Sequence, residues 1–387
     1  MTTPRKIAVL GSTGSIGRAA LEVISAHPGR FEISALAAGR NVALLAEQIG
    51  KFNPAKVVVY SVVEAEQLQR LDLYPELEIL HGQEGLEEVA VDGTNDMVLN
   101  AVVGADGLRA SLAAVRSGKD LALANKESLV VGGPLFESEV KKSGAKILPI
   151  DSEHSAIWQC LKAGREEEVK RIWLTASGGP FRDRPAETFN KITVEEALNH
   201  PTWKMGPKIT IDSATMVNKG LELIEAVWLF SLPPDRVRIV IHPQSIVHSM
   251  VEFIDSSIIA QLSRPDMKLP IAYALFWPDR LESDNGLLDI TEAGQLDFLE
   301  PDEKKFPALA LARLAAEKGG TAPAVFNAAN EAAVAAFLEG RIQFTRITEL
   351  IEKAVVKHIV ESSPTLDDIL NYDRQVRVET EFLIGNN

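Results

Sequence analysis

The chain carries one cysteine, Cys160, so no intrachain disulfide can form, and a buried thiol in a reducing compartment is expected. Nowhere does an apolar run approach the about 18 residues needed to cross a bilayer, so no membrane insertion is expected. An excess of positive charge is also missing. With 40 Lys and Arg against 54 Asp and Glu, the formal charge of −14 disfavours nucleic acid and anionic lipid, yet leaves room for a local basic pocket around a small phosphate ester. No His/Cys spacing suits zinc, and no repeat or low-complexity segment occurs. The opening Met1-Thr-Thr-Pro-Arg-Lys has neither a secretory nor a transit pattern, which predicts a cytoplasmic protein.

What is present suits a multidomain globular chain, since 387 residues exceed what one core usually serves. Residues 1–150 alternate short apolar runs (Ile7–Leu10, Phe31–Ala38, Lys56–Tyr60, Met97–Asn100, Leu121–Ala124, Ala145–Ile150) with helical patterns. That rhythm predicts an α/β fold opening with a Rossmann-like parallel-sheet domain. Residues 151–285 have an α+β texture, with strand-like Arg171–Thr175, Val237–His242, Ile246–Phe253 and Ser257–Gln261, and form the expected central catalytic domain. Turn residues and charges make 286–305 a connection. The remainder, 306–387, reads as a C-terminal helical bundle with helices near 306–318, 323–339, 345–362 and from 365 onward.

Directly after the first strand comes Gly11-Ser-Thr-Gly14-Ser-Ile-Gly17, leading into a helical pattern. Glycines allow the tight turn and close approach of backbone to a pyrophosphate, which the helix N-terminus attracts. The second strand runs into Ala38-Gly39-Arg40-Asn41 and not into the acid that binds a ribose 2′-hydroxyl, so a guanidinium stands where a 2′-phosphate suits it and NADP is favoured.

At the end of the first domain Ile147-Leu-Pro-Ile150 meets Asp151-Ser152-Glu153-His154-Ser155. If that stretch is extended, Asp151 and Glu153 share a face and suit a hard cation; Asp-x-Glu equally starts a helix over Ala156–Leu161. Further on, His200-Pro-Thr-Trp203-Lys-Met-Gly206-Pro-Lys208 is kept irregular by Pro and Gly, and 198–208 reads as a lid. Ser177, Ser213, Asn218 and Lys219 offer phosphate donors. Glu222 sits in an apolar helical pattern, either as a solvated face or for a reason of chemistry. His154 and His200 fall in polar clusters, whereas His242 and His248 read as core or interface residues and His27, His81 and His358 as surface or loop residues.

Taken in order, these segments resemble the 1-deoxy-D-xylulose 5-phosphate reductoisomerase family over essentially the whole chain. The motifs carrying the resemblance are the glycine turn, Asn125-Lys126-Glu127, Asp151-Ser-Glu-His, Ser177-Gly-Gly-Pro-Phe-Arg182, His200-Pro-Thr-Trp, Asp212-Ser-Ala-Thr-Met-x-Asn-Lys-Gly-Leu-Glu222 and His242-Pro-Gln-Ser-Ile-Val-His. The resemblance implies NADPH contacts from Thr13, Gly14, Ser15, Ile16, Gly39, Arg40, Asn41, Asn125, Glu127 and Gly206. It implies a Mg²⁺ or Mn²⁺ site, with Co²⁺ admitted, on Asp151, Glu153 and Glu222. Ser177, Ser213, Asn218 and Lys219 would hold the substrate phosphate, with Lys126, Ser152, Glu153, Glu222 and His200 at the substrate and Trp203 closing over it. Lys126, Asp151, Glu153, His154, His200 and Glu222 form the implied catalytic group. Arg40, where a lysine also occurs in the family, and Ala176, where a glycine is common, are local departures. The implied reaction rearranges and reduces a sugar phosphate in non-mevalonate isoprenoid synthesis, in a homodimer that binds neither nucleic acid nor membrane. The rival readings are a simple NADP-dependent dehydrogenase of a phosphorylated sugar and a non-catalytic dinucleotide sensor.

Overall fold

The computed structural model describes residues 3–203, 205–282 and 286–386. Lys204 of the 198–208 stretch and residues 283–285, at the end of the 151–285 region, lie outside the described residues. The chain divides into two compact units, one gathering residues up to 128, 135–155 and 266–282, the other 129–134, 156–265 and 286–386.

The first unit is built on a seven-stranded sheet in the order β4-β3-β2-β1-β5-β6-β7. Its strands are β1 (Arg5–Leu10), β2 (Phe31–Ala37), β3 (Lys56–Val59), β4 (Glu78–His81), β5 (Met97–Asn100), β6 (Asp120–Leu123) and β7 (Ile147–Pro149). Every pairing is parallel, as expected of strands separated by helices. Ile7, Ala8, Val9 and Leu10 are all fully buried, the continuous apolar run of a strand covered on both faces. β4 escapes sequence reading because it is a short edge strand whose residues are exposed or half-buried. The helices that matter here are α1 (Ser15–Ser25), α2 (Val42–Phe52), α3 (Lys126–Ser143) and α4 (Ser152–Cys160). In α1 the buried Gly17, Ala20, Leu21 and Ile24 recur at helical spacing and seat the helix on the sheet. The start of α4 settles the choice left open for Asp-x-Glu: the backbone is helical from Ser152, and Ser155 N–H donates to the Asp151 carbonyl (2.9 Å), so the extended stretch is not formed.

The second unit holds a four-stranded sheet in the order β11-β10-β8-β9, from β8 (Val169–Ala176), β9 (Val237–Ile241), β10 (Val247–Phe253) and β11 (Ile258–Leu262). β8 and β9 are parallel, and β10 is antiparallel to both β8 and β11. Its helices are α5 (Pro207–Ala214), α6 (Val217–Phe230), α7 (Ala308–Lys318), α8 (Ala322–Leu338), α9 (Phe344–Lys357) and α10 (Leu366–Gly385). One apolar core joins the sheet residues Ile172 and Leu174 to Leu221 and Ile224 of α6 and to Ala312, Phe326 and Ile347 of the C-terminal helices. Helix α9 stops at Lys357, five residues before the 345–362 pattern does. Thr321 takes the chain out of the helix: its N–H donates to the Glu361 carbonyl, its hydroxyl accepts from Glu361 N–H, and it pairs with His358 Nε2 at 2.7 Å. His242 and His248 are buried, as expected of core residues.

Candidate active site

In the first unit the strand order reverses on either side of β1, the place where open α/β sheets bind ligands. Gly11 follows β1 with φ +83°, so near the end of β5 that a Cβ would stand 2.5 Å from the Ala101 carbonyl oxygen. The N–H groups of Gly11 and Ser12 both donate to the Ala37 carbonyl (2.9 and 2.8 Å). The Ser12 hydroxyl donates to Gln48 Oε1 (2.7 Å), and Gln48 Nε2 returns to the Ser12 carbonyl (2.9 Å). The turn is thus clamped to α2 by buried groups. Gly14, the N-cap of α1, supplies no side-chain acceptor, and the first turn contains no acid. Donor N–H groups and the positive end of the helix therefore face outward between half-buried Thr13 and Ile16 and exposed Ser15, which fits a pyrophosphate.

At the end of β2, Gly39, Arg40 and Asn41 are all exposed. Asn41 caps α2 by accepting from Leu44 N–H (3.2 Å), and the Arg40 guanidinium lies 4.6 Å from the centre of the Tyr60 ring. Asn125 is buried and caps α3, accepting from Ser128 N–H (3.2 Å). Its amide donates to the carbonyls of Val102 (2.7 Å) and Gly104 (2.8 Å), which fixes the loop after β5, and to Glu127 Oε2 (3.2 Å).

Beyond the ends of β6 and β7, the buried Lys126 ammonium contacts Asp151 Oδ2 at 2.5 Å. The other Asp151 oxygen accepts from Ser152 N–H (2.9 Å), and the Ser152 hydroxyl donates to Glu153 Oε2 (2.5 Å). Asp151 and Glu153 nonetheless bring carboxylate oxygens within 4.8 Å of each other, because one precedes α4 and the other stands in its first turn. Convergence thus comes from a helix start and not from the alternation of a strand. Two acids this close suit a hard cation. His154, next along α4, is fully buried.

In the second unit Ser177 opens the turn after β8. Gly179, with φ +68°, brings that turn so close to α5 that a Cβ would stand 2.6 Å from the Ser213 carbonyl oxygen. Arg182 donates to the Ser177 carbonyl (2.9 Å), and the Ser177 hydroxyl lies 3.4 Å from His200 Nε2. His200 Nδ1 accepts from the N–H groups of Thr202 (3.1 Å) and Trp203 (3.0 Å), so the ring proton sits on Nε2 and points at Ser177. Burial pushes the His200 pKa below the ordinary histidine value, which keeps this neutral form. Trp203 is half-buried, and Gly206, exposed, is the N-cap of α5.

After Ser213, Met216 takes φ +62° and turns the chain into α6. There the Asn218 amide donates to Glu222 Oε1 (2.5 Å), and the Lys219 ammonium pairs with Glu222 Oε2. Lys219 is 4% and Glu222 1% exposed, so the reading of Glu222 as a solvated face fails. Of the cofactor candidates, Gly206 alone belongs to this unit; of the carboxylates, Glu222 does, while Asp151 and Glu153 belong to the first. Sequence reasoning passed over two buried acids here, Asp212 and Glu225. The apolar neighbours Ile209 and Ile211 around Asp212 were the available signal.

Three family models match the chain: 1-deoxy-D-xylulose 5-phosphate reductoisomerase over residues 7–133, its C-terminal domain over 147–230, and a second C-terminal domain over 262–379. The enzyme of that name from Pelodictyon phaeoclathratiforme is 54% identical over 96% of this chain and 98% of its own length. The one from Chlorobaculum tepidum is 52% identical over 98% and 100%. Among solved structures, the reductoisomerase of Zymomonas mobilis in complex with NADPH superposes with a TM-score of 0.93 at 43% identity, covering 99% of this chain and 100% of that one. A complex of the enzyme with NADPH, fosmidomycin and magnesium gives 0.94 at 43%, covering 98% of each.

Proposed function

The chain belongs to the 1-deoxy-D-xylulose 5-phosphate reductoisomerase family, and from that premise we propose how its residues divide the work of the reaction. It is an NADPH- and divalent-metal-dependent enzyme that rearranges and reduces 1-deoxy-D-xylulose 5-phosphate to 2-C-methyl-D-erythritol 4-phosphate in isoprenoid synthesis. The observation that carries the residue assignment is the gathering of an amide and an ammonium around one buried carboxylate: Asn218 and Lys219 reach Glu222 just beyond the corner that Ser213 precedes.

In this reading Thr13, Gly14, Ser15 and Ile16 receive the cofactor pyrophosphate on the open N-terminus of α1, and Arg40 meets the adenosine 2′-phosphate, with Gly39, Asn41, Asn125, Glu127 and Gly206 completing the cradle. Ser177, Ser213, Asn218 and Lys219 hold the substrate phosphate. The neutral His200 offers its Nε2–H to the Ser177 hydroxyl, orienting that hydroxyl for the anion, and Trp203 covers the bound molecule and excludes water. Lys126 and Ser152 hold the substrate backbone, and His154, buried in α4, supports Asp151 and Glu153. Asp151, Glu153 and Glu222 hold the divalent cation, for which oxygen donors favour Mg²⁺ or Mn²⁺, with Co²⁺ a substitute. When bound, the cation polarises adjacent substrate oxygens and NADPH supplies the hydride that reduces the rearranged aldehyde.

The proposed division of labour is an NADPH-binding region at 1–150, a catalytic region at 151–285 with its lid at 198–208, a connection at 286–305 and a helical region at 306–387. A cytoplasmic homodimer completes the proposal, and light scattering on the purified enzyme decides the dimer. The metal assignment is tested by Glu222→Gln, which keeps the shape and removes a charge. It should weaken Mg²⁺ affinity and cut kcat by about 100-fold or more while leaving NADPH affinity unchanged. Parental activity in this variant at low metal would refute it.

A further inference from the structure

Nothing in the assignment so far uses Asp212 or the C-terminal helices. Asp212 is 1% exposed, a carboxylate in the last turn of α5. Its Oδ2 meets the Lys208 ammonium one turn earlier at 2.8 Å, and its Oδ1 accepts at 2.8 Å from the amide of Asn330, 118 residues away in α8. Asn330 is fully buried in an Ala-rich helix, Ala322–Leu338, that is otherwise almost wholly apolar on its inner side. A buried amide among alanines costs stability unless it is bonded, and a buried carboxylate costs more. Together they form a contact whose geometry is tightly set: if α5 slides or rotates along α8, an ion is left short of a donor in a dry interior. Pure apolar packing tolerates such sliding far better.

What α5 carries makes this contact matter. Ser213 is the next residue after Asp212, and its carbonyl abuts Gly179 in the turn opened by Ser177. Beyond it, the left-handed Met216 leads straight into Asn218 and Lys219. Three of the four groups assigned to the substrate phosphate, Ser213, Asn218 and Lys219, are therefore strung on the short segment that Asn330 anchors, and the turn of the fourth, Ser177, packs against it.

We infer that Asp212 and Asn330 are a positioning pair, through which the C-terminal helices set the grip on the substrate phosphate. The inference rests on the phosphate role proposed for Ser213. It gives the last quarter of the chain a part in substrate affinity, although none of its residues is placed at the substrate.

The test is a double-mutant cycle on the full enzyme, using Asn330→Ala and Ser213→Ala. Steady-state kinetics give KM and kcat for 1-deoxy-D-xylulose 5-phosphate, fluorescence titration gives NADPH affinity, and circular dichroism checks the fold. Asn330→Ala should raise KM about tenfold, with kcat changed by less than about twofold and NADPH affinity unchanged. In the Ser213→Ala background the same substitution should have a much smaller effect, since both remove one grip; a general loss of stability would instead act independently. If Ser213→Ala raises KM and Asn330→Ala does not, or if the two effects simply multiply, the positioning role is overturned and the phosphate role stands. An unchanged KM in Ser213→Ala overturns both. Should Asn330→Ala not fold, Asn330→Ser, which keeps a donor on a shorter arm, goes through the same cycle and decides by the same criteria.

Discussion

Gly17→Ala offers the sharpest check on the clamped turn after β1. The added Cβ would stand 2.2 Å from the Gly11 carbonyl oxygen and 2.6 Å from Ser12 Cα, far inside the 3.4 Å where ordinary contact begins. Both neighbours are backbone, and neither yields easily. Gly11 and Ser12 share the Ala37 carbonyl, and Ser12 is tied through Gln48 to α2. Overpacking of this kind costs about 1–3 kcal/mol. That cost is divided between a lower melting temperature, if the turn holds and α1 is pushed off the sheet, and weaker NADPH binding, if the turn gives way. At the second extreme the Kd for NADPH rises about 5- to 150-fold. Gly14→Ala is the control: its Cβ would lie 3.3 Å from the same oxygen and its φ of −73° suits any residue, so its melting temperature should stay near the parent's. Differential scanning fluorimetry and fluorescence titration with NADPH read the two quantities. A Gly17→Ala enzyme with parental melting temperature and parental NADPH affinity would show that the turn is not built as described.

Three further outcomes are expected. Arg40→Asp, at an exposed guanidinium stacked on Tyr60, should raise KM for NADPH by about 10- to 150-fold and narrow the preference over NADH, because a charge-assisted phosphate contact is worth about 1.5–3 kcal/mol; unchanged selectivity in steady-state kinetics would remove Arg40 from the cofactor site. Burial depresses the pKa of His200 in the folded chain, so its contribution to the 200–203 turn is complete above the unfolded value of about 6.5 and is lost as pH falls through the folded value. The Thr202 and Trp203 amides, which donate to Nδ1, should accordingly lose hydrogen-exchange protection in acid relative to neutral pH, and equal protection after correction for intrinsic rates would contradict this. Burial also pushes the Cys160 thiol up to about 11, so iodoacetamide should leave it unmodified in the folded enzyme near neutral pH and label it fully in urea, as read by mass spectrometry.

The sequence by itself determined the features that depend on local pattern. Continuous apolar runs fixed six of the seven strands of the first sheet, the glycine spacing fixed the turn after β1, and 3.6-residue periodicity fixed the C-terminal helices to within a few residues, all because side-chain period and backbone freedom are properties of neighbours in the chain. The motif resemblance carried the family, and with it the substrate and cofactor. Only tertiary structure decided the rest. β4 is a strand because β3 offers it a hydrogen-bonding edge, not because Glu78–His81 has a strand's pattern. Helix α9 ends at Lys357 because Thr321, nearly 40 residues earlier, captures Glu361. Asp151 and Glu153 converge through a helix start where alternation in a strand was the alternative, and Glu222 is buried beside Lys219 where a solvated face fitted the sequence equally well. Asp212 and Asn330 meet across 118 residues, and no local pattern can carry the cost of leaving a distant partner's charge unpaired in a dry interior.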